Sequence, residues 1–284
     1  MNIFFNEAII FLNNSCNFNC YHCYVKKNQK ELSFVDLTYF INNDISKFKI
    51  QRVSLVGGEP FLYSNFIPLL KKLSSKKDLE IIITTNGSIY NKKFIEPLKS
   101  VNLKLLKISL HSLKPEVFSK FTGTKNQYNK VLANIDKFSR FFNIGINTTV
   151  TKLNYAELGR IIHFCQERGI KFLHISQLTT SGKGAEIRDE KLTSDQIKNI
   201  EDELKKHPKN NLSISYDNHI FCSFGQKLSI NPNSDIYPCP ALISYPKYKI
   251  GNIYSSSREL VKKINKFNAI RTKKCFVEEF IPNL

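Results

Sequence analysis

The feature that most constrains this chain is an alternation. Six short apolar runs rich in Ile, Val and Phe, at residues 9–12, 52–56, 79–84, 105–110, 144–150 and 172–176, are separated by longer stretches of helical period. Strands spaced by helices in this way pair in parallel, with the helices laid on the sheet. Two helices show their buried stripe directly. Phe66, Leu69, Leu70 and Leu73 fall at i, i+3, i+4 and i+7, with Asn65 placed to cap and Pro68 tolerated in the first turn. Leu158, Ile161, Ile162 and Cys165 repeat that spacing, which makes Cys165 a small core hydrophobe. Six units are fewer than the eight of a closed barrel, so the expected fold class is α/β, a partial (β/α)6 TIM barrel. Its functional loops should gather at the carboxyl ends of the strands.

Beyond residue 176 the pattern changes to a polar, Gly-containing connection over 179–188 and one amphipathic helix over 194–206, ended by Pro208. Short alternating strands follow at 213–216, 227–230 and 235–237, and Asn231, Pro232, Asn233 and Ser234 between the last two predict a hairpin. The boundary is placed near residue 210, giving a barrel domain over 1–210 and a small C-terminal α+β domain over 211–284. A chain of 284 residues that is 42% hydrophobic can supply cores for two such units. No apolar run approaches the length that crosses a bilayer. Residues 1–12 lack the basic leader and small-residue cleavage site of a secretory signal, so the cytoplasm is the expected compartment. The net charge of +18 favours anionic partners, whether acidic peptide, nucleotide or nucleic acid, without choosing among them.

Seven cysteines in a reducing compartment point to metals or catalysis ahead of disulfides. Three of them, Cys16, Cys20 and Cys23, lie in the loop after the first strand, separated by three and two residues. A loop this short can bring three thiolates to three irons of a [4Fe–4S] cube and leave the fourth iron open to a ligand. Structural zinc is the alternative. It wants a fourth Cys or His, and His22 sits inside the loop where it would crowd the neighbouring ligands. At the end of the second strand stand Gly57, Gly58, Glu59 and Pro60. Paired glycines let backbone approach a ligand closely, and an acidic side chain can offset an ammonium charge.

Cys-x3-Cys-x2-Cys after the first strand of a partial barrel, followed one βα unit later by Gly-Gly-Glu-Pro, resembles the radical S-adenosylmethionine (radical SAM) superfamily. The resemblance implies that Cys16, Cys20 and Cys23 bind a [4Fe–4S] cluster, that SAM chelates its open iron, and that Gly57, Gly58, Glu59 and Pro60 hold the methionine amino group. It places Ser109, at the end of the fourth strand, on the SAM ribose. It also implies that Asn86 after the third strand and Asn147 on the fifth face the cofactor, whereas by residue type alone Asn86 with Gly87 reads equally as a turn and Asn147 as a satisfied strand-edge amide. His22 stands where the family usually has an aromatic residue near the adenine, and could stack similarly. His111 replaces an Asp of many peptide-modifying relatives and is expected to be a solvated loop histidine. The implied activity is reductive cleavage of SAM to methionine and a 5'-deoxyadenosyl radical that abstracts a substrate hydrogen, with a reductant such as flavodoxin or ferredoxin.

Cys222, Cys239 and Cys275 form a second group. The stretch from Phe221 through the hairpin to Cys239, with Gly251 and Asn252 after it, resembles the auxiliary-cluster extension called SPASM or, when shortened, twitch. It implies an auxiliary [4Fe–4S] cluster on three thiolates. A competing reading makes Cys222 and Cys239 structural and leaves Cys275 as a catalytic hydrogen-atom donor; zinc is a third. Such extensions accompany peptide modification most often, so maturation of a ribosomally made peptide by crosslink, thioether, oxidation or epimerisation is the favoured activity. A small metabolite is the second substrate class and RNA the third. Residues 109–123, 129–136 and 147–157 are also similar to the molybdenum-cofactor enzyme that rearranges a guanosine nucleotide, although the C-terminal cysteine spacing differs and no arginine-rich tail is visible. No leader-binding domain fits before Phe4, so a peptide would need a separate leader-peptide-binding protein or the basic surface. A non-enzymatic metal or electron-transfer protein is the contrasting class, with no need of Gly-Gly-Glu-Pro.

Overall fold

A computed structural model describes residues 5–206, 211–217, 225–268, 275 and 277. Strands β1 (Glu7–Phe11), β2 (Arg52–Val56), β3 (Glu80–Thr85), β4 (Leu103–Ser109), β5 (Ile144–Val150) and β6 (Phe172–Gln177) are joined by helices and pair in parallel in chain order. The helices are α1 (Phe34–Tyr39) and α2 (Ile45–Lys47), bridged by a π-helical turn, then α3 (Phe66–Leu73), α4 (Ile95–Ser100), α5 (Pro115–Thr122), α6 (Tyr128–Ser139) and α7 (Leu158–Glu167). This is the expected partial barrel. Helix α8 (Ser194–Lys206) matches its amphipathic pattern.

The strands past residue 210 extend the same sheet at both edges. β7 (Ser213–Asp217) adds a seventh parallel strand beside β6, while β8 (Lys227–Ile230) returns to pair in parallel with β1 at the opposite edge. The expected hairpin is present: β9 (Asp235–Tyr237) runs antiparallel to β8, and β10 (Gly251–Asn252) follows it, with α9 (Ser257–Asn268) after. Among the described residues no helix is long and apolar enough to cross a membrane.

Period-two alternation divides the strands into two faces. Ala8 and Ile10, Val53 and Leu55, Ile81 and Ile83, Leu106 and Ile108, and Leu173 and Ile175 are buried in the main core. The helical stripes share that core, among them Phe66, Leu69, Leu70 and Leu73 of α3 and Leu158, Ile161, Ile162 and Cys165 of α7. Burial pushes the Cys165 thiol up to about 12, which leaves it protonated and inert. Asn65 occupies the N-cap position of α3 but makes no capping bond, its amide donating instead to Ser64 Oγ at 3.1 Å. A smaller cluster of Phe11, Val25, Tyr237, Leu242, Tyr248 and Val277 joins the Cys loop to the C-terminal segment. The opposite parity of the strands faces the barrel lumen and carries the polar residues.

Candidate active site

The Cys loop is gripped by backbone from several elements. From the end of β2, Gly58 N–H donates to Asn13 O and Glu59 N–H to Ser15 O, both at 2.8 Å. A Cβ on Gly58 would lie 2.2 Å from Ser15 O, so only glycine permits this approach. From the end of α5, Thr122 O and Phe121 O accept the N–H groups of Asn19 and Tyr21 at 2.9 and 3.1 Å. The connection after β6 closes the third side, with Lys183 N–H donating to Cys23 O at 3.0 Å.

So held, Cys16, Cys20 and Cys23 all line one cavity of about 960 Å³ that runs down the barrel lumen. Burial raises the pKa of all three thiols. Metal loading must therefore displace protons. Phe18 N–H at 3.4 Å and the Asn86 amide at 3.7 Å donate to Cys16 Sγ, the contacts that stabilise and tune cluster thiolates. The ammonium groups of Lys27 and Lys183 draw the Cys23 thiol back towards ionisation. Among the described residues no three His, Cys, Asp or Glu side chains converge on a single ion's site; a cube makes a different demand, one thiolate per iron. The donor set thus fits a [4Fe–4S] cluster.

The other expected cofactor residues divide into two groups. Gly57, Gly58, Asn86, Ser109, Asn147 and His22 line the same cavity as the thiols. Glu59 and Pro60 are buried behind it. Instead of facing an ammonium, the Glu59 carboxylate accepts from Thr85 Oγ1 at 2.7 Å and Phe61 N–H at 3.2 Å on one oxygen and from Asn86 N–H at 2.8 Å on the other. Burial lifts its pKa to about 7 against those three donors. Glu59 thereby ties β2 to β3, and Asn86 continues the tie to Asn17 Oδ1 at 2.9 Å in the Cys loop. Glu59→Gln would set an amide NH2 against Asn86 N–H. The expected cost is about 1–3 kcal/mol in a urea melt, the penalty of an orphaned buried donor; an unchanged midpoint would mean the carboxylate is not needed.

His111 departs from its expectation as a solvated histidine. It is 3% exposed, stacks on Phe121 at 4.4 Å between centroids, and lines the cavity. Its Nδ1 accepts from Thr149 N–H at 3.1 Å, so a neutral ring carries its proton on Nε2. His22 packs against His111 and Phe121 at 4.7 Å, and burial lowers its pKa to about 4. The two rings form a neutral aromatic wall at the Cys loop.

Cys239 and Cys275 lie outside the cavity lining. Both pack on the small apolar cluster that Cys23 and Tyr24 also touch. The phenol of Tyr24 is raised by burial and then by the Cys23 and Cys239 thiols. Cys222 lies outside the described residues.

Sequence reasoning missed the charged residues of the lumen, among them Glu7, Arg52, Lys107, His174 and Lys227. Strand parity could have found two of them, since Lys107 is two residues before Ser109 on β4 and His174 is two residues after Phe172 on β6, on the faces that point inwards.

A family model described as Radical SAM superfamily matches residues 10–165. The probable GTP 3',8-cyclase of Sulfurisphaera tokodaii is 28% identical over 251 residues, spanning 81% of this chain and 79% of its own. The GTP 3',8-cyclase of Nautilia profundicola is 27% identical over 276 residues, 86% of this chain and 85% of its own. Among solved structures, Streptococcus suis SuiB bound to the precursor peptide SuiA superposes with a TM-score of 0.75 at 17% identity. That match covers 99% of this chain and 67% of SuiB, a likeness of fold.

Proposed function

This chain belongs to the radical SAM superfamily, and from that premise we propose that it takes a hydrogen atom from a compact metabolite seated in the barrel lumen. When bound, the cluster and SAM supply one electron and an adenosyl carbon radical able to abstract hydrogen. The chain's own residues do the rest. Cys16, Cys20 and Cys23 would hold the cluster. Gly57, Gly58, Asn86, Ser109 and Asn147 would seat SAM, with His22 and His111 as the aromatic wall that excludes water. Glu59 positions the Asn86 backbone from behind. A flavodoxin or ferredoxin is the reductant this reading requires.

The observation that carries the substrate class is the lumen itself. Its lining comes from strands β1 to β8, and its volume of about 960 Å³ is within the range of small-molecule sites. The GTP 3',8-cyclase relatives, named for a nucleotide substrate, support the same class. In this reading the metabolite stands ahead of the peptide that the sequence favoured, and the peptide remains the second substrate class. Cys239 and Cys275, with Cys222, are the ligands of a second cluster in this reading. Reconstituted protein should then carry about eight irons per chain, not about four.

Anaerobic protein given SAM and dithionite should release 5'-deoxyadenosine and methionine in equal amounts. Incubated with the small-molecule fraction of deuterium-grown cells, it should produce deuterated 5'-deoxyadenosine. Label arriving only from the peptide fraction would replace the metabolite with a peptide, and GTP offered alone tests the nucleotide that the relatives' name suggests.

A further inference from the structure

The lower lumen contains a cation that the fold does not pair. Arg52 at the start of β2 donates twice to Glu80, the shorter bond being 2.6 Å. Lys227 at the start of β8 pairs with Glu7 at 2.8 Å, and the same carboxylate accepts from Ser54 Oγ. Lys107 has no such partner. Its Nζ sits 5.5 Å from the Phe172 ring centroid and, among the described residues, makes neither a hydrogen bond nor an ion pair, though it lines the cavity. Burial lowers its pKa; the Glu7 carboxylate opposes that shift, and Lys227 and Arg52 add to it by repulsion. Across the lumen His174 takes Ser215 Oγ at 2.7 Å on Nδ1, and its Nε2 has no hydrogen-bond partner among the described residues. A half-buried ammonium that meets no protein acceptor is left to water or to a ligand that can accept its N–H groups.

Resting on the reading above, we infer that Lys107, together with His174 of the same cavity lining, is the anchor for an anionic group of the substrate, a phosphate or a carboxylate. Lys227 pairs with Glu7, and Arg52 and Lys104 share Glu80, whereas Lys107 in the same lining makes no ion pair among the described residues and is a charge available to a ligand. Ser109 lies two residues further along the same face of β4, about 7 Å at the rise of a parallel strand. A metabolite of ordinary size can therefore be tethered at Lys107 and still present a C–H bond at the level of the cofactor residues.

The test uses the full chain, reconstituted without air, with Lys107→Met and Lys107→Gln beside it. Inorganic phosphate and succinate are titrated separately by calorimetry, so that the two arms distinguish a phosphoryl anchor from a carboxylate one. One of the two should bind, and its affinity should fall about tenfold or more in both variants, the loss expected for a charge-assisted hydrogen bond. Bound iron should stay the same, and the melting temperature of Lys107→Met should rise, because an uncompensated half-buried charge has been removed. No binding of either anion, or equal affinity in the variants, would overturn the assignment. So would a lower melting temperature in both variants, which would make Lys107 a structural cation. Release of 5'-deoxyadenosine by the unaltered protein is scored separately. Its failure would sink the enzymatic reading and not the anion site.

Discussion

Alanine at Cys16, Cys20 or Cys23 should each lower the iron bound after anaerobic reconstitution by about four atoms per chain and abolish formation of 5'-deoxyadenosine. The effect is all-or-none because each thiolate takes a different iron, and the loop offers no substitute ligand. His22, the one other donor within it, has its ring committed to Phe121 and His111. The three thiols are half-buried with raised pKa values, so their ionisation depends on the metal they share, and removing one weakens the claim of the other two. A control at Cys165, which lies on the buried stripe of α7 outside the cavity, should load iron normally as Cys165→Ala. Native iron content and native SAM cleavage in any of the three loop variants would end the assignment of this site.

Gly58→Ala should be nearly as damaging although it removes no cluster ligand. The new methyl would fall 2.2 Å from Ser15 O, 2.6 Å from Ser15 C and 2.9 Å from Asn14 C. All three atoms are backbone, so no side chain can swing aside. Either the Cys loop or the end of β2 must move, and with it go the bonds from Gly58 N–H to Asn13 and from Glu59 N–H to Ser15. Overpacking of this kind costs about 1–3 kcal/mol before those bonds are counted. The expected result is a lower urea midpoint in the metal-free protein together with poor iron loading. Full loading at an unchanged midpoint would show that the loop does not depend on this contact.

How much was legible in advance follows from how local each signal is. The thiol triad, the glycine pair and the helical stripes depend on spacing within a few residues, and covalent geometry enforces them wherever the chain goes. The six strands and the hairpin were readable for the same reason. Ser109 and Asn147, placed by the resemblance, line the cavity, a direction that strand alternation is able to supply. Glu59 was identified as a functional residue, but its direction was not, because its partners Thr85 and Asn86 arrive from the next βα unit. His111 looked like a loop residue in sequence, and Phe121 and Thr149 make it part of the cavity wall.

The amino-acid sequence alone therefore determined the parallel architecture and the chemistry of the Cys loop, since both are written in short-range periodicity. Only the tertiary structure decided that β7 and β8 close on opposite edges of the sheet, and that Lys227 of β8 reaches Glu7 of β1 and leaves Lys107 unpaired. Pairings between distant segments set which buried charges are neutralised, and long-range pairing leaves no trace in local pattern.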